Sequence, residues 1–304
     1  MNIFGIPNQP VMPPQPNLQE LMGSIRDYEA RLKGIEKNSC LLLFSSKVAS
    51  AQPLDSVVFA TLLSQYLKKL KDSGCDKLWF HLTAFGGDIR VTELTKKLIE
   101  DLSFSKVNVI APLRLGATAS LLSFIVYDEL YVNSNTIVDP FNITVNITTQ
   151  ALDLNTFLEV MDFLLKSQKQ MNEVEDAIRT QAYSMLLSSG ALFGYVEASK
   201  EMKFIRYIID NYIAPKLKVH ESEFEESFLG GDKMVTPVTG LRLKEILINV
   251  RVMDREIPEL SKASFEIEEK VQSFFEQTGA TGLLATSNQM TTFNGAPIPQ
   301  IKIG

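Results

Sequence analysis

Short apolar runs that alternate with amphipathic helical segments fill residues 39–132, and this alternation constrains the fold more than any other feature of the chain. Four of the runs have the length of a buried strand, at 39–45, 76–82, 106–111 and 129–132. Apolar residues repeat at helical spacing in the intervening segments 54–70, 91–102 and 116–126. Such alternation is typical of βαβ units with right-handed crossovers, so the sequence predicts an α/β protein with a mainly parallel sheet.

The segments around this core predict three regions. Residues 1–38 are a proline-rich arm followed by a helix, residues 39–255 are the main domain, and residues 256–304 are a C-terminal helix and a flexible tail. A helical region is predicted at 154–247 within the main domain, because apolar residues there recur at helical spacing. The tail is rich in Thr, Gly, Asn and Pro, a composition typical of extended or unstructured chain ends.

Charge and hydropathy argue against a nucleic-acid partner and against a membrane span. The formal net charge is −6 and the pI about 5.2, whereas nucleic-acid-binding proteins usually present a basic surface. The first residues lack the basic segment and apolar run of a signal peptide. The longest apolar run, near 121–126, is far shorter than the roughly 20 residues of a membrane helix. We therefore expect a cytoplasmic protein.

The two cysteines, Cys40 and Cys75, lie far apart in the sequence and match no metal-binding spacing. A chain of this length needs no disulfide scaffold, so we expect two reduced thiols, in keeping with the cytoplasm. No pattern of His, Cys, Asp and Glu indicates a metal site, and no cofactor is expected.

A glycine pair, Gly86 and Gly87, follows the second predicted strand in the segment LTAFGGD at 82–88. Glycines at this position allow a sharp turn and leave backbone N–H groups exposed, and such groups can stabilise an oxyanion. The same pair is ordinary in a tight turn from strand to helix, so it does not by itself indicate a catalytic role.

Hydroxyl side chains follow the third predicted strand, in the segment PLRLGATASLL at 112–122. Thr118 and Ser120 stand near the start of the predicted buried helix. The positive end of a helix dipole suits a nucleophile or an anion. Capping or packing within that helix explains the same residues equally well.

Taken in order, these segments resemble the core of the Clp protease proteolytic-subunit and crotonase superfamily. The chain is most similar to the serine dehydrogenase proteinases of bacteria, in which a Gly-Gly turn, a strand ending in Val-Pro, a nucleophile segment and Asp-Glu-Ile-Val follow one another. The corresponding residues are Gly86-Gly87, Ile110-Ala-Pro112 and Asp128-Glu-Leu-Tyr131. The resemblance covers about residues 40–142 and implies a spiral of βαβ units, followed here by a helical C-terminal region.

The resemblance implies a serine nucleophile, but three comparisons of the same segment nominate three residues. The Gly-x-Ala-Ala-Ser pattern of the Clp peptidases nominates Ser120. Counting back from Asp128 nominates Thr118, and counting forward from Pro112 nominates Ala117. Gly86 and Gly87 would supply the oxyanion N–H groups.

A general base is missing from the places that the resemblance implies. Asp139 stands where the Clp peptidases have a histidine, and the late loop at 230–237 contains none. The chain has only His81, expected in the core or on the sheet, and His220, expected at the surface. His220 is the only histidine after Ser120 and is the candidate base. A Ser–Lys dyad stays open, with no lysine nominated.

Three hypotheses about function follow. The first is a catalytically degenerate Clp-like protein that acts as an oligomeric scaffold or partner-binding module. The second is an active ATP-independent or Clp-type serine peptidase that uses Ser120 with a rearranged base. The third is a crotonase-type acyl-CoA enzyme, although Ala119, Ser120 and Leu121 replace the glycine-rich helix start expected there. The expected partners are further copies of the chain and a protein or peptide.

Overall fold

A computed structural model describes residues 18–47, 57–84, 89–141, 144–147, 150–153, 158, 161–162, 184, 191–230, 236–294 and 296–303. The fold is α/β, with helices packed on both faces of one large sheet of eight strands.

The parallel part of this sheet confirms the four predicted strands. They form β1 (Ser39–Ser46), β2 (Lys77–Thr83), β3 (Lys106–Ala111) and β5 (Glu129–Val132), and the later strand β10 (Val250–Val252) joins them. The order is β10–β5–β3–β2–β1, and every neighbouring pair in it is parallel. Strands that follow one another in the chain are therefore neighbours or near neighbours in the sheet.

Three antiparallel strands extend the sheet beyond β1. They are β11 (Gly282–Ala285), β12 (Met290–Asn294) and β13 (Ala296–Ile303), and β11 pairs with β1. The sequence predicts a flexible tail in this region. The tail is ordered here because β1 would otherwise present an unpaired row of backbone N–H and C=O groups, and β11 satisfies them.

The strands are buried on both faces, which explains why they appear in the sequence as nearly continuous apolar runs. In β1, Leu42 and Phe44 face the helices α2 (Val57–Asp72), α3 (Arg90–Asp101) and α4 (Ala117–Val126). Leu41 and Leu43 face α1 (Leu18–Ile35) and α9 (Pro258–Thr278) on the other side. Two hydrophobic cores thus lie on opposite sides of a single sheet.

A second, small sheet stands beside the carboxyl ends of the main strands. It contains β4 (Arg114–Leu115), β6 (Ile137–Val138) and β9 (Val238–Thr239), with β4 parallel to β6 and β9 antiparallel to it. The helical region predicted at 154–247 is interrupted by β9, and its last helix is α7 (Gly240–Ile246). Gly240 donates its N–H to Thr136 O at 2.9 Å, and a Cβ there would collide with Asn133 O.

The remaining described elements flank this core. They are the hairpin β7 (Thr144–Ile147) and β8 (Gln150–Asp153), then α5 (Ala191–Ile208) with a π-helical turn at Ile209–Ile213, α6 (Glu221–Phe228) and α8 (Met253–Glu256). Most of the helical segment predicted at 154–187 lies outside the described residues. None of the helices in the described ranges combines the length and apolar character that crossing a bilayer requires.

The prediction of two separate reduced thiols is wrong, because the structure joins Cys40 and Cys75 in a disulfide with a Cα–Cα distance of 5.9 Å. Cys40 pairs in register with Leu78, and Cys75 lies just before β2. The parallel pairing of β1 with β2 therefore brings together two residues that their sequence spacing does not connect.

Candidate functional site

The two motifs singled out in the sequence meet at the carboxyl end of β2. Ala84 forms a parallel bridge with Leu115, and Gly116 donates its backbone N–H to Ala84 O at 2.7 Å. The segment that begins α4 is thereby held next to the chain leaving β2. Gly86 and Gly87 come directly after that point and lie outside the described residues.

Ser120 is fully buried in the first turns of α4. Its Oγ lies 2.8 Å from Ala117 O and 3.0 Å from Asp139 O, both backbone carbonyl oxygens. A hydroxyl has one proton to donate, and here that proton is directed at groups that accept hydrogen bonds but cannot act as a general base at neutral pH. The contacts tie α4 to the loop after β6.

Thr118, the alternative nucleophile, is the second residue of α4 and is 3 % exposed. Ala117 precedes it as the first residue of the helix. Ala117 is partly buried, and the three residues after it, Thr118 to Ser120, are packed in the protein interior.

Asp139, which stands where the resemblance implies a histidine, forms an ion pair with Arg114. Arg114 Nε donates to Asp139 Oδ2 at 2.8 Å, and Arg114 Nη2 donates to Oδ1 at 3.0 Å. The same aspartate presents its backbone carbonyl, and not its carboxylate, to Ser120. Both carboxylate oxygens of Asp139 are therefore engaged by Arg114, and the described structure places neither of them on Ser120 as a proton acceptor.

His220, the candidate base, is the N-cap of α6. Its Nδ1 lies 2.9 Å from Ser222 Oγ and 3.4 Å from the backbone N of Ser222. The residue is exposed, and the described contacts of its ring stay within the cap. The structure therefore does not bring His220 into contact with Ser120.

Lys216 contacts α4, but at the C-terminal end of the helix and not at the end that carries Ser120. Its Nζ donates to Phe124 O and Tyr127 O, both at 2.9 Å, and stands 4.2 Å from the centroid of the Tyr127 ring. Burial lowers the pKa of Lys216 to about 8. At about 1.5 Å of rise per residue, the end of α4 is roughly 9 Å from Ser120. Lys216 therefore caps the helix and is not placed as a dyad partner.

The second histidine, His81, belongs to a polar network buried on the opposite face of the sheet. Its Nδ1 lies 3.1 Å from Tyr28 Oη, and its Nε2 lies 3.0 Å from Glu268 Oε2. Glu268 Oε1 accepts from Ser45 Oγ at 2.5 Å and from Gln272 Nε2 at 2.9 Å. His81, Glu268 and Ser45 are fully buried, so the network has no route to a substrate.

Sequence reasoning places His81 in the core or on the sheet, but does not single out Glu268. A signal was present: on α9 the residues Leu260, Ile267, Val271 and Phe275 follow helical spacing, and Glu268 stands inside that apolar stripe. A carboxylate at a core position requires hydrogen-bond partners, and a histidine expected on the same sheet was available as one.

Within the described residues, no group of three or more His, Cys, Asp or Glu side chains is arranged to hold a metal ion. The geometry around Ser120 therefore offers buried hydroxyls, an Arg–Asp ion pair and a helix N-terminus, but brings none of the described titratable side chains to Ser120 as a proton acceptor.

Comparisons with known proteins leave the family open. Neither the models of known protein families nor the curated protein sequences contain a match to this chain.

Proposed function

We propose that the chain is a catalytically degenerate relative of the Clp-type peptidases, similar to the serine dehydrogenase proteinases, and that it acts as a cytoplasmic homo-oligomeric scaffold or partner-binding module. The environment of Ser120 carries the proposal. The hydroxyl of Ser120, the nucleophile that the Gly-x-Ala-Ala-Ser pattern nominates, is directed at backbone carbonyl oxygens, and Asp139, at the position where the resemblance implies a histidine, is bound to Arg114.

The arrangement of the two sheets supports the spiral fold in this proposal. The main strand β3 is followed by the short strand β4, and β5 is followed by β6. β3 is parallel to β5 in the large sheet, and β4 is parallel to β6 in the small one. Successive units thus repeat the same step, which is what a spiral built from βαβ units requires.

Reaction chemistry supports the loss of activity. A serine hydroxyl is a weak nucleophile unless an adjacent base removes its proton. Without that base, a triad enzyme retains only what its oxyanion hole and substrate binding supply, about 10³–10⁴-fold over water. The fold would then persist for assembly and binding, which depend on its surface.

An active serine peptidase is the second candidate, and one observation favours it. The hydrogen bond from Gly116 N to Ala84 O brings the start of α4 next to the chain that leads to Gly86 and Gly87, as an oxyanion hole beside a nucleophile would require. The crotonase alternative is less well supported, because the buried first turn of α4 carries Thr118 and Ser120 where a thioester would approach.

We expect a fluorophosphonate probe to leave the wild-type protein unlabelled under conditions that label an active serine peptidase. The variants Ser120→Ala and Thr118→Val should also remain unlabelled by the probe. Ser123→Ala is the matched control, because Ser123 is also fully buried in α4 and donates to Ala119 O at 2.7 Å.

Labelling that disappears in Ser120→Ala and survives in Ser123→Ala would contradict the proposal and establish the peptidase. Labelling lost only in Thr118→Val would identify Thr118 as the nucleophile. Saturable acyl-CoA binding in a calorimetric titration would support the crotonase alternative in its place.

We expect sedimentation velocity at micromolar concentration to show a homo-oligomer. On α5, Val196 is 50 % and Tyr207 is 45 % exposed, and Tyr207 stacks on Phe204 at a centroid distance of 6.4 Å. Aromatic side chains are enriched at subunit interfaces, so this face of α5 is where we place the contact between copies. The double variant Val196→Glu with Tyr207→Glu should dissociate the assembly.

Ile35→Glu is the control, because Ile35 is 48 % exposed on α1, which packs on the opposite face of the main sheet. A wild-type protein that sediments as a monomer would refute the oligomer. If the α5 double variant still sediments as an oligomer, the interface lies on another surface.

A further inference from the structure

The only two cysteines of the chain, Cys40 and Cys75, are joined to each other. Their Cα atoms are 5.9 Å apart, within the range of about 4.4–6.8 Å that disulfides span without backbone movement. They are 35 positions apart in sequence, so the bond closes a loop that contains all of α2.

The backbone around the bond is held independently of it. Asp76 and Lys77 each donate a backbone N–H to Asn38 O at 3.2 Å, and Cys75 donates its N–H to Leu70 O at the same distance. β1 and β2 pair along their length from Ser39 to Ser45. The two strands therefore keep their register whether or not the sulfurs are bonded, and both redox states fit the same fold.

The disulfide adds a covalent anchor at one end of α2. Elsewhere this helix is held by side chains, among them Tyr66, whose Oη lies 2.7 Å from Thr291 Oγ1, and Lys69, whose Nζ donates to Gln289 Oε1 at 2.7 Å. Both contacts join α2 to the C-terminal strands. The Cys40–Cys75 bond instead joins the turn after α2 to β1.

The two cysteine residues differ in their exposure to solvent. Cys75 is 2 % exposed, whereas Cys40 is only partly buried. A soluble thiol or disulfide therefore reaches the pair through Cys40, and Cys75 is positioned to react with it from within. This asymmetry of one accessible and one resolving cysteine is typical of redox-responsive pairs.

We propose that Cys40 and Cys75 form a reversible redox staple that controls how firmly α2 is anchored to the sheet. In the oxidising direction, the Cys40 thiolate attacks a low-molecular-mass disulfide such as oxidised glutathione, which forms a mixed disulfide and releases one glutathione thiol. The Cys75 thiolate then attacks the Cys40 sulfur and releases the second. The two cysteines lose two electrons and two protons in total, and oxidised glutathione becomes two molecules of reduced glutathione. Disulfides in reducing compartments are usually transient and redox-sensing, so this chemistry is compatible with a cytoplasmic protein.

The test uses the full-length chain equilibrated in glutathione buffers of increasing oxidised-to-reduced ratio. Alkylation followed by mass spectrometry should count two free thiols in reduced buffer and none in oxidised buffer. Because the bond closes a long loop, oxidation should raise Tm by about 5–8 °C. Amide hydrogen exchange in α2 should be faster in the reduced protein, while exchange in β3 should change little.

Cys40→Ala is the control, because the remaining Cys75 is 2 % exposed, and its Tm and α2 exchange rate should be insensitive to the buffer. Cys75→Ala should instead stop at the mixed disulfide with glutathione, which mass spectrometry would detect on Cys40. Comparing redox states within one variant removes the effect of any lost packing. Two alkylated thiols at every glutathione ratio would overturn the proposal. A disulfide that forms without changing Tm or amide exchange in α2 would also overturn it. A disulfide that glutathione cannot reduce in the folded protein would do the same.

Discussion

Replacing Glu268 with alanine is expected to lower the free energy of unfolding by about 3–5 kcal/mol. The carboxylate of Glu268 is fully buried and accepts hydrogen bonds from Ser45 Oγ, His81 Nε2 and Gln272 Nε2. Its removal takes this acceptor from the buried Ser45 and His81 and opens a cavity beside them, whereas Gln272 Nε2 keeps its hydrogen bond to Ser46 O at 3.0 Å. An unsatisfied buried polar group costs about 1–3 kcal/mol, and the cavity adds to that loss.

The hydrogen bonds of this network give each ring nitrogen of His81 and each carboxylate oxygen of Glu268 a partner. Burial raises the pKa of Tyr28 well above its ordinary value, so the phenol keeps its proton and can donate it to His81 Nδ1. The imidazole tautomer that carries its proton on Nε2 then donates to Glu268.

Urea denaturation followed by fluorescence measures the effect, because Trp79 is the only tryptophan and is fully buried next to this network in β2. Glu266→Ala on the same helix is the matched control. The side chain of Glu266 is 45 % exposed and that of its salt-bridge partner Arg31 is 57 % exposed, with 3.2 Å between Oε2 and Nη1, so the loss of this pair should cost less than about 1 kcal/mol. Equal destabilisation by the two variants would contradict the assigned network. Glu268→Gln keeps the shape and should fall between them.

Replacing Phe228 with alanine is expected to lower the free energy of unfolding by about 3–5 kcal/mol. Phe228 is fully buried at the centre of an aromatic cluster. Its ring centroid lies 4.7 Å from Phe224, 5.2 Å from Phe141 and 5.3 Å from Phe124. Phe124 is on α4, so the cluster joins the helix that carries Ser120 to α6 and to the chain after Asp139. Truncation should therefore also accelerate hydrogen exchange in α4.

Phe265→Ala is the control for this variant, because Phe265 has the same side chain on α9 but is 42 % exposed. Its truncation should cost less than about 1 kcal/mol, since less apolar area returns to water and no closed cavity forms. Similar denaturation midpoints for the two variants would show that the aromatic cluster does not stabilise the fold as its packing implies.

The strands and helices of the core were predictable because their signals are local. The helical segment predicted at 91–102 lies within one residue of α3 (Arg90–Asp101) at both ends, since apolar spacing within a helix requires no knowledge of its neighbours. The apolar run at 39–45 indicated a buried strand for the same reason. The antiparallel strands after Gly279 carry no comparable signal, because their stability comes from pairing with β1, which is about 240 positions earlier in the chain.

At the candidate site, the residue types follow from the sequence, whereas the contacts between them follow from the tertiary fold. Residue identities need no folding: two hydroxyl residues follow Gly116, residue 139 is an aspartate, and the chain has two histidines. The contacts between these residues came from the tertiary structure. Ser120 Oγ donates to backbone carbonyl oxygens, Arg114 forms an ion pair with Asp139, and Cys40 forms a disulfide with Cys75. Each of these joins residues from different elements, and such contacts are set by strand register and helix packing, which no spacing within a single segment specifies.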